Sequence, residues 1–548
     1  MTFSMTFNTI NTKNEKTKIC IVPGLKYFLK IIWNICDVKY IIIGTYYSIY
    51  YILIQTMWIE DEIQKDMSGL QKTMHSLRRD YSAQLPRTIR SSIPENKDTT
   101  TDFFRKFYDK LRNAEYEIYQ KFSKDVNKPN GLIQSEIMET KLSYHITEIK
   151  NSANDLPHPR ILSSLQRTYD MRRNHNSGGD DDQYIPYKVY TYIREKSEFC
   201  IHFQATIHGR QVSIHFITFP ESHISVCSKN NNWSSSAASS YLCASEIAIY
   251  QVYAYKVFIW LTIVTSMADH ECSEKSLNVY FYMTPFKKHR PLQSATGEDA
   301  VLSAIHVNTG LTRNCEADGE IVVYRTEEWF KVFVHESMHN FNMDFIDQDL
   351  HEANTRLRST FCIPHGDILL FETYTETWAR IINTMFVSYF ENAPSSSMTQ
   401  THFVRTVREK LIHNAIFYVY QAVKVLDIMK LKYAHITIQS PENMEVCKKR
   451  YIEDTNVYAY YILGGILSAY SLPFVSWCGQ HNQAKGRVGA IRFSRNMGTL
   501  PKFVDLLCTI SRDPVVLSMV AFIENANKHS HHSHVSTVAL KTMRMTID

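Results

Sequence analysis

The sequence lacks the features that mark several classes of protein. Its 548 residues include only 17 Gly and 16 Pro, too few for a collagenous or low-complexity chain. The 60 Lys and Arg nearly balance the 55 Asp and Glu, and no dense basic block stands out, so we expect no nucleic-acid partner. The 11 Cys contain no C-x-x-C pair, which argues against a thiolate zinc site and a disulfide framework and predicts reduced thiols. Hydrophobic residues make up 44% of the chain, enough for a sizeable core.

One long uncharged run lies near the start of the sequence. Residues 40–59 (YIIIGTYYSIYYILIQTMWI) are 20 uncharged residues, the length that an α-helix needs to cross a bilayer. Six lysines precede the run and four acidic residues follow it within residues 60–66, which puts the N-terminus inside by the positive-inside rule. The sequence therefore predicts a single-pass membrane protein with a basic N-terminal tail at 1–39. A buried or interfacial helix is the alternative, because five of the 20 residues are tyrosines.

The rest of the chain divides by pattern into two regions. Residues 60–183 have apolar positions at helical spacing and end in the linker NSGGDDDQ at 176–183. Residues 184–548 begin with a strand-rich part at 184–325, whose predicted strands are YKVYTYI, FCIHFQATI, QVSIHFITF, 277–283 and 320–324. Within it, the apolar run 247–267 is predicted to be a buried core helix, because Lys256 interrupts it. Residues 326–548 are mostly helical, so we expect an α+β fold with a small mixed or antiparallel sheet followed by a mostly helical C-terminal half.

The most informative motif is H-E-x-x-H, from His335 to His339. On a helix, the i, i+4 spacing puts both imidazoles on one face, where each can reach a zinc ion about 2.0–2.1 Å away. Glu336 is then placed to act as general base on a zinc-activated water. Two surface histidines on an amphipathic helix are the alternative interpretation of the motif taken alone. A metzincin is excluded, because Asn342 and Phe345 stand where that class has Gly and His.

A catalytic zinc site needs a third protein ligand. The helix predicted over Asp367–Tyr389 carries Glu372 and Glu376 four residues apart, and therefore on one face. Glu376 begins an E-x-x-A pattern that resembles the third-ligand helix of gluzincin peptidases, so we predict one zinc ion held by His335, His339 and Glu376. Glu372 is predicted to accept a hydrogen bond from a ligating imidazole, or to be the ligand itself if the register differs by one turn.

Four ordered blocks carry a more specific resemblance. They are Val307–Gly310, Ile321–Phe345, Phe371–Asn383 and Tyr458–Leu467. Together they resemble a family of predicted metallopeptidases encoded by large nucleocytoplasmic DNA viruses, over about the last two-thirds of the chain. The resemblance implies a gluzincin-like zinc site and a location in the virion or a membrane of the infected host cell. It implies little about the substrate.

Two further features are predicted to serve the same site. In HExxH peptidases an edge strand before the active-site helix pairs with an extended substrate, and the segment before this helix is a candidate for that strand. Its residues are Ile321, Val322, Val323 and Tyr324. Tyr460 and Tyr461 are candidates for a hydrogen-bond donor to the transition state. An ordinary core strand and aromatic packing are the respective alternatives.

These observations predict a zinc-dependent peptidase that cleaves a peptide or an unfolded protein, with Glu336 as general base. The alternative is a membrane-attached virion or scaffold protein with a structural or vestigial metal site. The presence of Glu336 favours the enzyme, because a structural site needs no base between its histidines. The sequence leaves open whether the enzyme is an endopeptidase or an aminopeptidase.

Overall fold

The computed structural model describes residues 67–83, 91, 93–122, 142–162, 185–220, 242, 244–291, 301–363, 366–390, 399–482, 489–529 and 537–547. The chain divides into two compact units, Met1–Trp58 and Ile59–Asp548, and all of these residues belong to the second unit. The predicted tail at 1–39, the predicted membrane helix at 40–59 and the linker at 176–183 lie outside the described residues.

Six strands form one mixed sheet. They are β1 (Tyr144–Glu148), β2 (Phe199–Ile207), β3 (Arg210–Thr218), β4 (Ser276–Tyr282), β5 (Gly310–Thr312) and β6 (Asp318–Val323). Their order in the sheet is β1-β2-β3-β4-β6-β5. Strands β1, β2 and β3 are antiparallel to one another, β4 runs parallel to β3 and to β6, and β5 is antiparallel to β6. The predicted α+β class with a small mixed sheet is confirmed.

The predicted substrate strand is an inner strand. Ile321, Val322 and Val323 lie in β6, which pairs with β4 on one side and with β5 on the other, and Tyr324 follows the strand. The edge position next to the H-E-x-x-H helix belongs to β5 instead. The prediction of an edge strand at these four residues is therefore wrong. Strand β5 has only three residues, too few to give a period-two pattern in the sequence.

Helices surround the sheet and make up most of the second half of the chain. The α-helices are α1 (Lys97–Phe122), α2 (Tyr187–Lys196), α3 (Ala244–Thr265), α4 (Ala304–Val307), α5 (Trp329–Asn340), α6 (His351–Thr360), α7 (Leu370–Phe390), α8 (Gln400–Ile428), α9 (Tyr433–Thr437), α10 (Pro441–Arg450), α11 (Gly464–Ala469), α12 (Ser471–His481), α13 (Thr499–Ser511), α14 (Pro514–His529) and α15 (Thr537–Lys541). Residues 67–83 are also helical, a π-helix spans Tyr458–Leu463, and 3-10 turns span His270–Ser273 and Gly489–Ile491.

One hydrophobic core spans the boundary that the sequence predicts at residue 183. Phe104 and Leu111 of α1 belong to the same buried cluster as Ile201 of β2 and Phe281 of β4. Strand β1 also comes from the region before the boundary, and it pairs with β2. The predicted helical region 60–183 and the region after it therefore share a core and a sheet.

The segment YKVYTYI, predicted as a strand, is the helix α2. Its buried residues are Val189, Tyr190 and Ile193, which lie on one helical face and cover the second face of the sheet beside Ile217 and Tyr282. The high β-propensity of Tyr, Val and Ile favoured a strand, but burial of this face decides the structure.

Helix α3 is the most apolar element of the described chain. Its stretch Glu246–Thr265 is long and apolar enough to cross a membrane, and two bent helix pairs among the described residues reach the same length and hydropathy. Of the 18-residue window in α3, 61% is buried inside the protein. The helix packs against α1, β2 and α5, which agrees with the predicted core helix.

Cys272 and Cys315 form a disulfide, contrary to the prediction of reduced thiols. The bond joins the turn before β4 to the hairpin between β5 and β6. The two cysteines are 43 residues apart in the sequence and belong to no local motif, so only the tertiary fold brings them together.

Candidate metal centre

The H-E-x-x-H motif lies on α5, as predicted, and this helix is buried along its whole length. Trp329 and Phe333 pack edge-on against Phe281 of the sheet. In the middle of the helix, the Trp260 indole of α3 donates a hydrogen bond of 2.7 Å to the Ser337 hydroxyl. Helix α5 therefore has its position fixed by the sheet on one side and by α3 and α7 on the others.

The two motif histidines converge with Glu372 of α7. The Nε2 atoms of His335 and His339 are 3.2 Å apart, and they lie 3.1 Å and 3.2 Å from Glu372 Oε2. In the part of the chain that the structure describes, this is the one group of three or more potential ligands close enough to share an ion. The triangle is close to the face of a tetrahedron around zinc, whose edge is about 3.3 Å for bonds of about 2.0–2.1 Å.

Glu376, the predicted third ligand, lies outside this triangle. Its Oε2 atom is 3.2 Å from Nδ1 of His335, the nitrogen that faces away from Glu372. Both of its oxygens accept hydrogen bonds from Lys331, at 3.0 and 2.9 Å, and Oε1 accepts another from Arg380 at 2.9 Å. The candidate ligand is therefore corrected to Glu372, the alternative one turn earlier on the helix.

The second histidine has its own carboxylate partner, which the sequence analysis missed. Asp344, in the loop after α5, is fully buried, and its Oδ2 atom makes a short hydrogen bond to Nδ1 of His339. Thr375 Oγ1 and the Ile346 amide donate to the same carboxylate, at 3.3 and 2.9 Å. The available signal was an acidic residue five positions after the motif. A carboxylate oxygen therefore lies beside each Nδ1, hydrogen-bonded at His339 and 3.2 Å away at His335, and both imidazoles direct Nε2 toward Glu372.

Buried carboxylates control the protonation of these histidines. Burial by itself lowers the pKa of His339, but the carboxylates of Glu372 and Asp344 raise it well above its usual value. Burial likewise opposes ionisation of Glu372, yet the two histidines hold its pKa far below the usual range. These directions favour an ionised Glu372 beside protonated imidazole, and a divalent ion bound by the same atoms would displace a proton.

Glu336 lies beside the edge strand β5. Its side chain is buried, and burial raises its pKa above the usual value. A Cβ atom added to Gly310 would lie 2.9 Å from both Cγ and Oε1 of Glu336, so the backbone of β5 is in close contact with this carboxyl group. Glu336 makes no hydrogen bond to another side chain within the described residues, and a proton acceptor needs such freedom.

The two candidate tyrosines have different positions. The Tyr460 ring, on the π-helix, lies 6.0 Å from the His335 ring, and burial together with Glu372 and Glu336 raises its pKa, so its hydroxyl stays protonated at neutral pH. The Tyr461 hydroxyl donates to the backbone carbonyl of Met543 at 2.5 Å. Tyr460 therefore remains a candidate hydrogen-bond donor at the site, whereas Tyr461 is engaged in the core.

Two imidazole nitrogens and one carboxylate oxygen are a ligand set that suits zinc. The spacing of the three atoms and the carboxylate oxygen beside each Nδ1 fit an ion at this position. No family model, no curated protein and no solved structure matches this chain. The assignment of the site therefore depends on its geometry.

Proposed function

We propose that this chain is a zinc-dependent peptidase of the two-His, one-Glu type. The proposal rests on the convergence of His335, His339 and Glu372, whose ligand atoms lie 3.1–3.2 Å apart. Glu336 lies on α5 between the two histidines. A structural zinc site is usually closed by four protein ligands and needs no general base, whereas a catalytic site has three protein ligands and an open position. The buried carboxyl of Glu336 next to the three ligands supports a hydrolytic enzyme.

His335, His339 and Glu372 would hold the zinc ion, which would lower the pKa of a water molecule and polarise the carbonyl of the peptide bond. Glu336 accepts the proton from the attacking water. Because burial raises the pKa of Glu336 toward neutral pH, its carboxyl can both take up this proton and release it later. The same carboxyl then donates the proton to the leaving amine. The Tyr460 hydroxyl donates a hydrogen bond to the developing oxyanion.

The substrate we propose is a peptide or unfolded segment bound in extended form. Strand β5 pairs with β6 alone among the described strands, so its outer edge is the position where an added substrate strand would pair. Its backbone at Gly310 contacts Glu336, and a strand added to this edge would pass the candidate base. This assigns to β5 the role that the sequence analysis gave to residues 321–324.

The viral family, membrane attachment through residues 40–59 and a virion or host-membrane location remain predictions from the sequence. The gluzincin-like relation is likewise part of the proposal, supported by a ligand set of two motif histidines and a glutamate on a following helix. The membrane-attached scaffold is the competing proposal, and turnover distinguishes the two.

The test combines metal analysis with cleavage of a mixed peptide library by the purified full-length chain. We expect about one zinc per chain. Glu336→Gln should keep the zinc and lose turnover, His339→Ala and Glu372→Ala should lose both, and Glu376→Ala should keep more zinc than Glu372→Ala. Glu352→Gln, on the exposed side of α6, is the matched control and should change neither. Zinc that remains bound without any cleavage would support the scaffold, and absence of zinc from the wild type would refute the site.

A further inference from the structure

A row of buried charges lies directly behind His335. Lys331 precedes His335 by four residues on α5, so both side chains project from the same face of the helix. The side chains of Lys331, Glu376 and Arg380 are 3%, 1% and 2% exposed. A charged cluster this deep in a core is costly to form, and hydrophobic side chains of similar volume often stabilise a protein better. We therefore look for a role of this charged cluster in the metal site.

The geometry of the cluster fixes Glu376 against His335. Lys331 Nζ bridges the two carboxylate oxygens at 3.0 and 2.9 Å, and Arg380 Nε holds Oε1 at 2.9 Å. The remaining oxygen contact, from Oε2, is with His335 Nδ1 at 3.2 Å. Rotation of the carboxylate would break at least one contact to a buried cation, which leaves Glu376 a single orientation.

Arg380 is itself anchored to the segment that carries Tyr460. Its Nη2 atom donates to the Tyr460 carbonyl at 3.0 Å, and Nη1 donates to the Gly464 carbonyl and the Ser468 hydroxyl, each at 2.9 Å. One cation on Glu376 therefore comes from the motif helix α5, and the other links α7 to the π-helix and α11. The carboxylate joins three parts of the candidate site.

The segment Met543–Ile547 closes this cluster from water. The Met545 sulfur lies 3.7 Å from Lys331 Nζ, and the amides of Met545 and Thr546 donate to Glu328 at 2.9 and 2.6 Å. Glu328 also pairs with Lys288 at 3.0 Å. The segment thus covers Lys331 and the Glu328–Lys288 pair, although it is more than 150 residues beyond α7 in the sequence.

We propose that Lys331 is a positioning residue of the metal site: it holds Glu376 with Oε2 against Nδ1 of His335, 3.2 Å away, so that the imidazole keeps Nε2 toward Glu372, and Met543–Ile547 covers this contact. This inference rests on the proposed metal site. Lys331 contacts neither the ion position nor the reacting atoms, and it acts through Glu376 on the orientation of His335. Partners of metal-bound histidines typically change metal affinity by 10–100-fold when they are removed.

The test is the zinc dissociation constant of the full-length chain, measured by competition with a chromophoric chelator. Lys331→Met, which keeps the side-chain volume and removes the charge, should weaken zinc binding about tenfold or more. Lys288→Met is the matched control, because it removes another buried lysine of the same cluster, whose partner Glu328 has no hydrogen bond to a histidine among the described residues. It should leave zinc affinity within about twofold of wild type even where both variants lower the unfolding temperature equally. Lys331→Arg should restore most of the affinity.

A double-mutant comparison separates positioning from general loss of structure. Glu376→Gln should weaken zinc binding, and adding Lys331→Met to it should have no further effect, since Lys331 acts through Glu376. If Lys331→Met does not fold, Lys331→Gln replaces it in the same comparison. Equal zinc affinities for the lysine variant and wild type, or independent effects of the two substitutions, would overturn the inference while leaving the metal site intact. A wild type that binds no zinc would overturn both.

Discussion

Gly310 offers a direct test of the contact between the edge strand and the candidate base. A Cβ atom at this position would lie 2.7 Å from Cγ1 of Val332 and 2.9 Å from Cγ and Oε1 of Glu336. Ordinary van der Waals contact begins at 3.4 Å, so the atoms must separate by 3.4 − 2.7 = 0.7 Å and 3.4 − 2.9 = 0.5 Å. Val332 is on the buried helix α5 and cannot move alone, so Gly310→Ala displaces either β5 or the Glu336 side chain.

Both displacements reduce catalysis without removing a ligand. Overpacking of this kind costs about 1–3 kcal/mol of stability. A displacement of the base or of the substrate strand by half an ångström or more should lower kcat/KM by about 10–100-fold, because misplacement by about 1 Å costs on the order of 100-fold. Zinc content should stay at the wild-type level, since the three atoms nearest to the added Cβ belong to Val332 and Glu336 and none to a candidate ligand.

The assay compares peptide cleavage, zinc content and urea unfolding for Gly310→Ala and a matched control. Gly498→Ala serves as the control, because no atom lies within 4 Å of its added Cβ. We expect the control to match wild type in all three measurements. A Gly310→Ala protein with wild-type stability and wild-type kcat/KM would show that β5 does not press on Glu336, and it would remove the main support for β5 as the substrate strand.

Three other predictions address the disulfide, the histidines and Tyr460. Replacing Cys272 and Cys315 with serine should lower the free energy of unfolding by up to about 4 kcal/mol, the loop-closure value for a separation of 43 residues, and unchanged denaturant midpoints with and without reductant would contradict this. Zinc affinity should fall as the pH is lowered, beginning above the usual imidazole pKa because the carboxylates beside His339 raise its pKa, and titration calorimetry in two buffers should detect proton release near neutral pH. A pH-independent affinity between pH 6 and 8 would refute it. Tyr460→Phe should keep zinc and reduce kcat by about 10²–10³-fold if the hydroxyl binds the oxyanion, and a smaller effect than tenfold would assign the ring to packing.

The sequence predicted those parts of the fold that local patterns determine. Strands β2, β3, β4 and β6, the core helix α3 and the motif helix α5 each have a long apolar pattern of one period. The sequence predicted a strand at α2 because its tyrosines and β-branched residues favour strands, and its packing beside Ile217 and Tyr282 makes it a helix instead. Strand β5 was not predicted because three residues are too few to show an alternation of apolar and polar positions.

Contacts between residues that share no local motif could not be predicted from the sequence. The disulfide joins two cysteines in different loops, and their spacing resembles no known framework. Asp344 also lacks a motif, and its role follows from a loop that returns the chain to His339. Both features depend on where the sheet and α7 place the ends of α5.

The charges around Glu372 and Glu376 identify which of the two is the third ligand. Both face the motif helix, so helical periodicity cannot separate them. Charge balance can: Glu376 has Arg380 four residues later on the same helix, and it also meets Lys331 at 2.9 Å, so its charge is already compensated inside the core. Glu372 has Glu376 at that spacing instead of a cation, and within the described residues only the two motif histidines face it. A buried carboxylate that stays ionised needs a cation or hydrogen-bond donors, and at Glu372 the two motif histidines supply them either as protonated imidazoles or as ligands of a shared divalent ion.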